Sequence, residues 1–287
     1  MIVKMFLINA FTDGLFSGGR ALVAILRRPG QTHVLQALAC ELRTPVTAFV
    51  LPYQEGFAVR YFSEAGELDS GGYAALAVAK ALYFVGVAPP DQPLRLDGLK
   101  GPALIRPVPG PGRELSLILP PAPAQEELPP PDWLQRVSGL DQDAVLGFLV
   151  SGPHRLLCLA EHPVENFPAA ALASAATENR PENRLIISWP LDEGGYGLRC
   201  FGPAGEETEL PLAMDFHAAL GPFWVERLGR NRLEVHHLAF RPGLIWLKIT
   251  AEAVELSGQL EIVYKAVPTL GELMEQPTIN MPVEPNF

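Results

Sequence analysis

Val59-Arg-Tyr-Phe-Ser-Glu-Ala-Gly-Glu67 aligns without gaps on Leu198-Arg-Cys-Phe-Gly-Pro-Ala-Gly-Glu206, 139 positions further along a chain of 287 residues. Arg, Phe, Ala, Gly and Glu are identical across the pair. Further on, Tyr73-Ala-Ala-Leu76 aligns on His217-Ala-Ala-Leu220, now 144 positions apart, as if five residues had been inserted. Both matches keep one order: strand, turn, loop, helix start. A repeat spaced near half the chain length reads as an internal duplication. The expected fold is two similar halves, each a sheet wrapped around one buried helix, facing each other across a cleft.

Hydrophobic periodicity agrees with this α+β pattern. Strands are predicted at Ile2–Asn9, Ala21–Arg27, Val46–Leu51, Phe57–Ser63 and 114–119, then at Leu156–Glu161, Leu185–Trp189, Gly197–Phe201, Leu233–Phe240, Leu244–Thr250 and Gln259–Tyr264. Helices are predicted at Thr32–Leu42, Gly72–Val85, Val164–Thr177 and Asp215–Leu228. Regular βαβ alternation, which a doubly wound fold needs, is missing. The stretch Tyr73–Pro89 is apolar nearly all round, but it carries Lys80 and is shorter than the roughly 20 residues that span a bilayer, so it reads as a buried helix.

Proline sets the boundaries. PVPGPG (107–112), PPAP (120–123) and PPP (129–131) cannot sit in a long helix. They divide the chain into a first half (1–118), a linker (119–131) and a second half (132–265). Residues 266–287, ending EQPTINMPVEPNF, read as an extended C-terminal strap or frayed end.

Composition excludes several classes of function. Apolar residues make up 48% and charged residues 19%, enough for a core. Lys plus Arg is 22 against 32 for Asp plus Glu, a net charge of −10, the wrong sign for a phosphate-backbone partner. Nucleic acid and membrane are therefore not expected partners. Cys40, Cys158 and Cys200 form no paired motif; each reads as a small core residue in a reducing compartment. His236 and His237 point to opposite faces of a strand and cannot chelate one ion together, and no HExxH is present, so no metal is expected.

Each repeat runs into a helix N-terminus, at Gly71-Gly72 and near Asp215. The unpaired N–H groups and positive dipole end there favour an anion. If the halves face each other, both ends point into one cleft, which suits a small carboxylate-bearing molecule. For the glycines alone, a sharp turn and close packing are the simpler reading, and the duplication brings the anion site nearly level with it.

Four ordered blocks then resemble the PhzF-like (phenazine-biosynthesis) family: INAFTDGLFSGGRALVAIL (8–26), LQALACELRTPVTAFV (35–50), VRYFSEAGELDSGGYAALA (59–77) and LRCFGPAGEETELPLAMDFHAALGPFW (198–224). The resemblance implies the diaminopimelate-epimerase-like fold of two pseudo-symmetric halves, each a mixed, mostly antiparallel sheet rolled around a central helix. It also implies a cytoplasmic homodimer without metal or organic cofactor, and isomerisation by moving a proton on a small cyclic hydroxy-amino acid.

The family's functional positions are largely replaced. Its acid/base glutamate falls on Val46, its Gly-His pair on Gly72-Tyr73, and a position that is often cysteine on Gly71. The aspartate of EDP falls on Leu210, beside Glu209 and Pro211. The TGS turn becomes Ala213-Met214-Asp215, and FSGNP becomes Phe16-Ser17-Gly18-Gly19-Arg20. Proton transfer needs a titratable group within hydrogen-bond reach of the carbon, and valine has none.

A rewired acid/base set would use Tyr73 and Asp215. Gly71, Gly72, Arg20, Glu209 and His217 would then bind the substrate, Arg20 by gripping a carboxylate with its fork of N–H groups. Asp215 reads more simply as a helix cap, and Arg20 as an exposed arginine. Two other readings keep the scaffold and drop the chemistry: a small-molecule-binding pseudoenzyme, and an interaction protein whose cleft is filled by Val46, Met214 and Leu210.

Overall fold

The computed structural model describes residues 2–53, 56–109, 114–122, 127–128, 132–163, 168–177, 183–202 and 214–268. In the first lobe, β1 (Ile2–Ala10), β2 (Gly19–Leu26), α1 (Thr32–Leu42), β3 (Val46–Tyr53), β4 (Gly56–Ser63), β5 (Gly66–Leu68), α2 (Tyr73–Phe84), β6 (Leu94–Gly98), β7 (Gly101–Pro107) and β8 (Leu115–Leu119) follow in order. Next come β9 (Glu127–Leu128) and α3 (Asp132–Ser138). The second lobe then runs through β10 (Val145–Ser151), β11 (His154–Leu159), α4 (Ala169–Thr177), β12 (Arg184–Leu191), β13 (Gly195–Phe201), α5 (His217–Leu228), β14 (Arg232–His237), β15 (Gly243–Ile249), β16 (Val254–Gly258) and β17 (Leu260–Ala266).

The same pairing pattern occurs twice. In the first lobe β1–β2 is antiparallel, β2–β3 parallel, β3–β4 antiparallel, β4–β6 parallel, and β6–β7–β8 antiparallel. In the second lobe β10–β11, β11–β12, β12–β13, β13–β14 and β14–β15–β16 repeat those senses in the same order. Each lobe is a mixed, mostly antiparallel sheet rolled around one central helix, α2 in the first and α5 in the second. The fold is α+β and pseudo-symmetric.

Two strands cross between the lobes. After β8 the chain enters β9, which pairs with β10 of the second lobe, and after β16 it enters β17, which pairs with β1 of the first. β8 and β16 themselves pair antiparallel. Followed outward from the Val59/Leu198 repeat, the registers make Leu117 the counterpart of Leu256, and these two leucines lie opposite each other. The pseudo-two-fold axis therefore passes through this one buried pair.

The central helices explain why the sheets close. On α2, Tyr73, Ala74, Ala75, Leu76, Ala77, Val78, Ala79, Ala81 and Leu82 are all buried. A helix apolar on every side can be stable in water only when sheet surrounds it. Burying each Leu or Val side chain contributes roughly 1.5–3 kcal/mol. Lys80 is the exception, and its ammonium reaches the carboxylate of Glu114 beside the sheet. α1 buries only Leu35, Leu38 and Ala39, and covers the outer face of the first sheet over Leu22, Phe49 and Phe62. α3 and α4 cover the outer face of the second over Leu157, Ile187 and Trp189.

The duplicated stretch that gave the fold keeps its contacts in both copies. Arg60 stacks over the ring of Phe62 at 5.1 Å, and Arg199 over Phe201 at 5.0 Å. Sequence periodicity missed β5, β6, β7, β9, β16 and α3, which are short or rich in proline and glycine, and β10, whose run VLGFLVS lacks alternation. Cys158 and Cys200 are buried as expected, whereas Cys40 is exposed on α1 and is not a core residue. Among the described residues, no helix is long and apolar enough to cross a membrane. Most of the C-terminal strap lies outside the described residues.

Candidate active site between the lobes

Both helix starts have the same local construction. Ala74 N–H donates to Gly71 carbonyl at 2.8 Å and Ala75 to Gly72 at 3.2 Å; Ala218 donates to Asp215 at 2.9 Å and Ala219 to Phe216 at 3.1 Å. Gly71, Gly72 and Tyr73 are thus the counterparts of Asp215, Phe216 and His217. Neither helix has a side-chain hydrogen bond at its N-cap, which is Gly72 in α2 and Phe216 in α5. Asp215 precedes the cap, so its expected role as the capping residue is corrected.

The two ends meet at one cavity of about 380 Å³, lined by Gly71 and Gly72 from the first lobe and by Met214 and Asp215 from the second. Tyr61, Ala75, Gly98 and Pro120 form further walls, and Lys100 and Asp69, 2.6 Å apart, stand at its exposed side. The expectation that Val46, Met214 and Leu210 fill the cleft meets a remaining volume large enough for a small molecule. Val46 is fully buried in the core at the start of β3, opposite Ala21. Met214 is buried at the cavity wall, and Leu210 lies outside the described residues.

Asp215 is the titratable group of the second helix end. Its side chain is 71% exposed, and its Oδ1 lies 3.4 Å from Nε2 of His154, which is only 4% exposed. The neighbouring imidazole of His154, aided by the backbone N–H groups of Asp215 and Phe216, holds the carboxyl below the ordinary aspartate range against an opposing effect of burial. At neutral pH it is ionised. Tyr61 presents no comparable proton acceptor, because burial raises its phenol above the usual value and keeps it protonated.

Several expected site residues sit elsewhere. Tyr73 is 1% exposed and its hydroxyl donates to the carbonyl of Arg20 at 3.1 Å, so it is held behind the cavity and does not line it. Its ring occupies the space above Gly19, where a Cβ would come within 2.7 Å of it. Tyr61 likewise covers Gly71, where a Cβ would lie 2.2 Å from the ring. Arg20 alternates with the inward-facing Ala21 and shares the face of Leu22 under α1. The expected carboxylate grip by Arg20 is therefore corrected.

His217 is fully buried, with Nδ1 2.7 Å from the hydroxyl of Tyr196, and burial together with the neighbouring His237 pushes its pKa down to about 3. It packs beneath the helix end and does not touch the cavity. Glu209 lies outside the described residues. Of the seven residues expected from sequence, Gly71, Gly72 and Asp215 are brought together.

Sequence reading missed His154, because a single histidine at a strand start carries no motif. It also missed Lys100, Asp69 and Tyr61, which reach the cavity only through the folding of β4, β6 and β7. Among the described residues, no group of three His, Cys, Asp or Glu is placed to hold a metal ion, although three buried histidines lie in this lobe.

Two lobes, each a sheet rolled around a helix, with both helix starts at a shared cavity, define the epimerase-like class of fold. The profile of the family described as phenazine biosynthesis-like protein matches residues 8–266, and the chain belongs to that family. An uncharacterized isomerase of Halalkalibacterium halodurans is 28% identical over 269 residues, covering 93% of this chain and 98% of that protein. The human phenazine biosynthesis-like domain-containing protein is 25% identical, covering 94% and 100%. Among solved structures, a PhzF-family protein of Enterococcus faecalis superposes with a TM-score of 0.77 at 21% identity, over 94% of this chain and 100% of the other. A hydroxyproline epimerase of Agrobacterium vitis, solved with trans-4-hydroxy-L-proline, superposes at 0.57 with 12% identity over 94% of both chains, which is a likeness of fold alone.

Proposed function

We propose that this protein isomerises or epimerises a small carboxylate-bearing metabolite by cofactor-independent proton transfer in the interlobe cavity, with Asp215 as the proton acceptor. The observation that carries the reading is the shared cavity: an ionised carboxylate on one side and the N-terminal end of α2 on the other. Asp215 repels a substrate carboxylate, while the N–H groups at Gly71-Gly72 attract it. The substrate is thereby oriented with its carboxylate toward α2 and its carbon toward Asp215. Removing a proton beside the carboxylate moves negative charge onto its oxygens, where the α2 end stabilises it. Asp215 accepts that proton and returns it at a neighbouring carbon on the same face, an isomerisation that one base can complete.

The test is carbon-bound deuterium uptake from D2O by a cyclic hydroxy-amino acid, followed by mass spectrometry. Uptake that disappears in Asp215→Asn supports the proposal. Binding of the same compound without any uptake overturns it in favour of the second reading, a non-catalytic binder. That alternative is favoured by the burial of Val46 and by the weak basicity of a carboxylate held below its ordinary pKa.

A further inference from the structure

We infer that His154 is the positioning residue of the site: its buried imidazole holds the Asp215 carboxylate facing the cavity, an inference that rests on the acid/base reading above. His154 opens β11 and is almost wholly enclosed, and neither ring nitrogen has a hydrogen-bond partner of full geometry among the described residues. Its polar contact is the 3.4 Å approach of Nε2 to Oδ1 of Asp215. Buried polar side chains are ordinarily hydrogen-bonded, so an imidazole with this one polar neighbour is explained by that neighbour. The ring of Phe216, 5.6 Å away and edge-on, fixes its plane from the helix side.

The pseudo-symmetry provides a second, independent observation. Thr47 pairs with Phe62 and Leu185 with Phe201; Leu22 pairs with Thr47 and Arg155 with Leu185. His154 is therefore the counterpart of Ala21, which is fully buried in the first core. Asp215 is the counterpart of Gly71. One lobe closes its sheet around its helix with alanine and glycine at these two positions. The frame requires neither an imidazole nor a carboxylate there, and the second lobe has acquired both, in contact.

The surrounding groups leave this task to His154. His217 commits Nδ1 to Tyr196, and His237 sits at the far end of β14. The guanidinium of Arg155 donates to the carbonyls of Gly152 and His154, and that of the cross-strand Arg184 donates to the carbonyl of Asn183. His154 in turn acts on Asp215 and on His217.

The test uses the full chain with His154→Ala and His154→Gln, the second being close in size and retaining an N–H. Without any substrate, the Asp215 carboxyl is titrated by ¹³C NMR. Its midpoint is expected to rise toward the free-carboxylate range in His154→Ala and to stay lower in His154→Gln. With substrate, kcat for deuterium uptake is expected to fall roughly 10- to 100-fold in His154→Ala with little change in KM, and to recover in part in His154→Gln. A folded alanine variant with an unchanged Asp215 midpoint overturns the inference; should the alanine variant not fold, an unchanged midpoint in His154→Phe, which fills the space without an N–H, does the same. If the wild-type chain gives no uptake at all, the functional proposal fails while the NMR titration still decides the role of His154.

Discussion

The hydroxyl of Tyr73 donates to the backbone carbonyl of Arg20 across the two elements that each sequence block assigned to the site. That bond turns the tyrosine into a strut between α2 and β2. Tyr73→Phe removes the donor and leaves the ring in place, so it should cost about 1 kcal/mol of stability in urea denaturation. Deuterium uptake in the cavity should be unaffected. A loss of uptake larger than the loss of folded protein would return Tyr73 to the chemistry.

Gly19 and Tyr73 form a matched pair, since the ring fills the volume that a side chain at position 19 would need. Gly19→Ala should destabilise by about 1–3 kcal/mol, as overpacking of a closed core does. In a Tyr73→Ala background the same change should cost much less. A double-mutant cycle on urea midpoints with no coupling between the two positions would contradict the packing described here.

Much of the fold was legible because the duplication left identical residues at positions that matter for shape. Arg60 and Arg199, Phe62 and Phe201, and the Ala-Ala-Leu of both helix starts retain the same contacts in both lobes. The exchange of strands between lobes was not legible: Gln259–Tyr264 reads as a strand but β9 lies in the Pro-rich linker, and both are assigned to a lobe by pairing and not by periodicity. The site was legible only where backbone defines it, at Gly71, Gly72 and Asp215. Side-chain direction decided the others: Arg20 and Ala21 are neighbours in sequence but face opposite sides of β2. His154 had no signal, as its counterpart is Ala21 and no identity links the two.

Val46 tests whether the lost glutamate position can simply be refilled. It is wholly enclosed, opposite Ala21 and within the core that α2 completes. Val46→Glu would place an ionisable group without a prepared partner in that core, which is strongly penalised. A loss of more than about 3 kcal/mol is expected, together with no gain in deuterium uptake. A variant of near wild-type stability that exchanges faster would show that position 46 still opens on the cavity.

Acid should destabilise this protein well before its carboxylates are protonated. His217 and His237 are fully buried, and burial lowers both pKa values to about 3. In the unfolded chain each titrates near ~6.5. Between those values the unfolded state binds protons that the folded state does not, so stability falls as pH decreases from about 6.5 toward 3. Each histidine contributes up to roughly 1.4 kcal/mol per pH unit within that window. Asp215 acts lower down: its folded pKa is depressed, so its contribution is present above about 3.9 and is lost below that, and exposure keeps it small. His237 has no hydrogen-bond partner for either ring nitrogen among the described residues, so His237→Leu removes a titrating group without breaking a bond. It also removes the like-charge influence that His237 exerts on His217. The slope of unfolding free energy between pH 6 and 4 should therefore fall by about half or more in this variant, measured by urea denaturation at several pH values. An unchanged slope would mean that the histidines are hydrated or paired in solution and titrate normally in the folded chain.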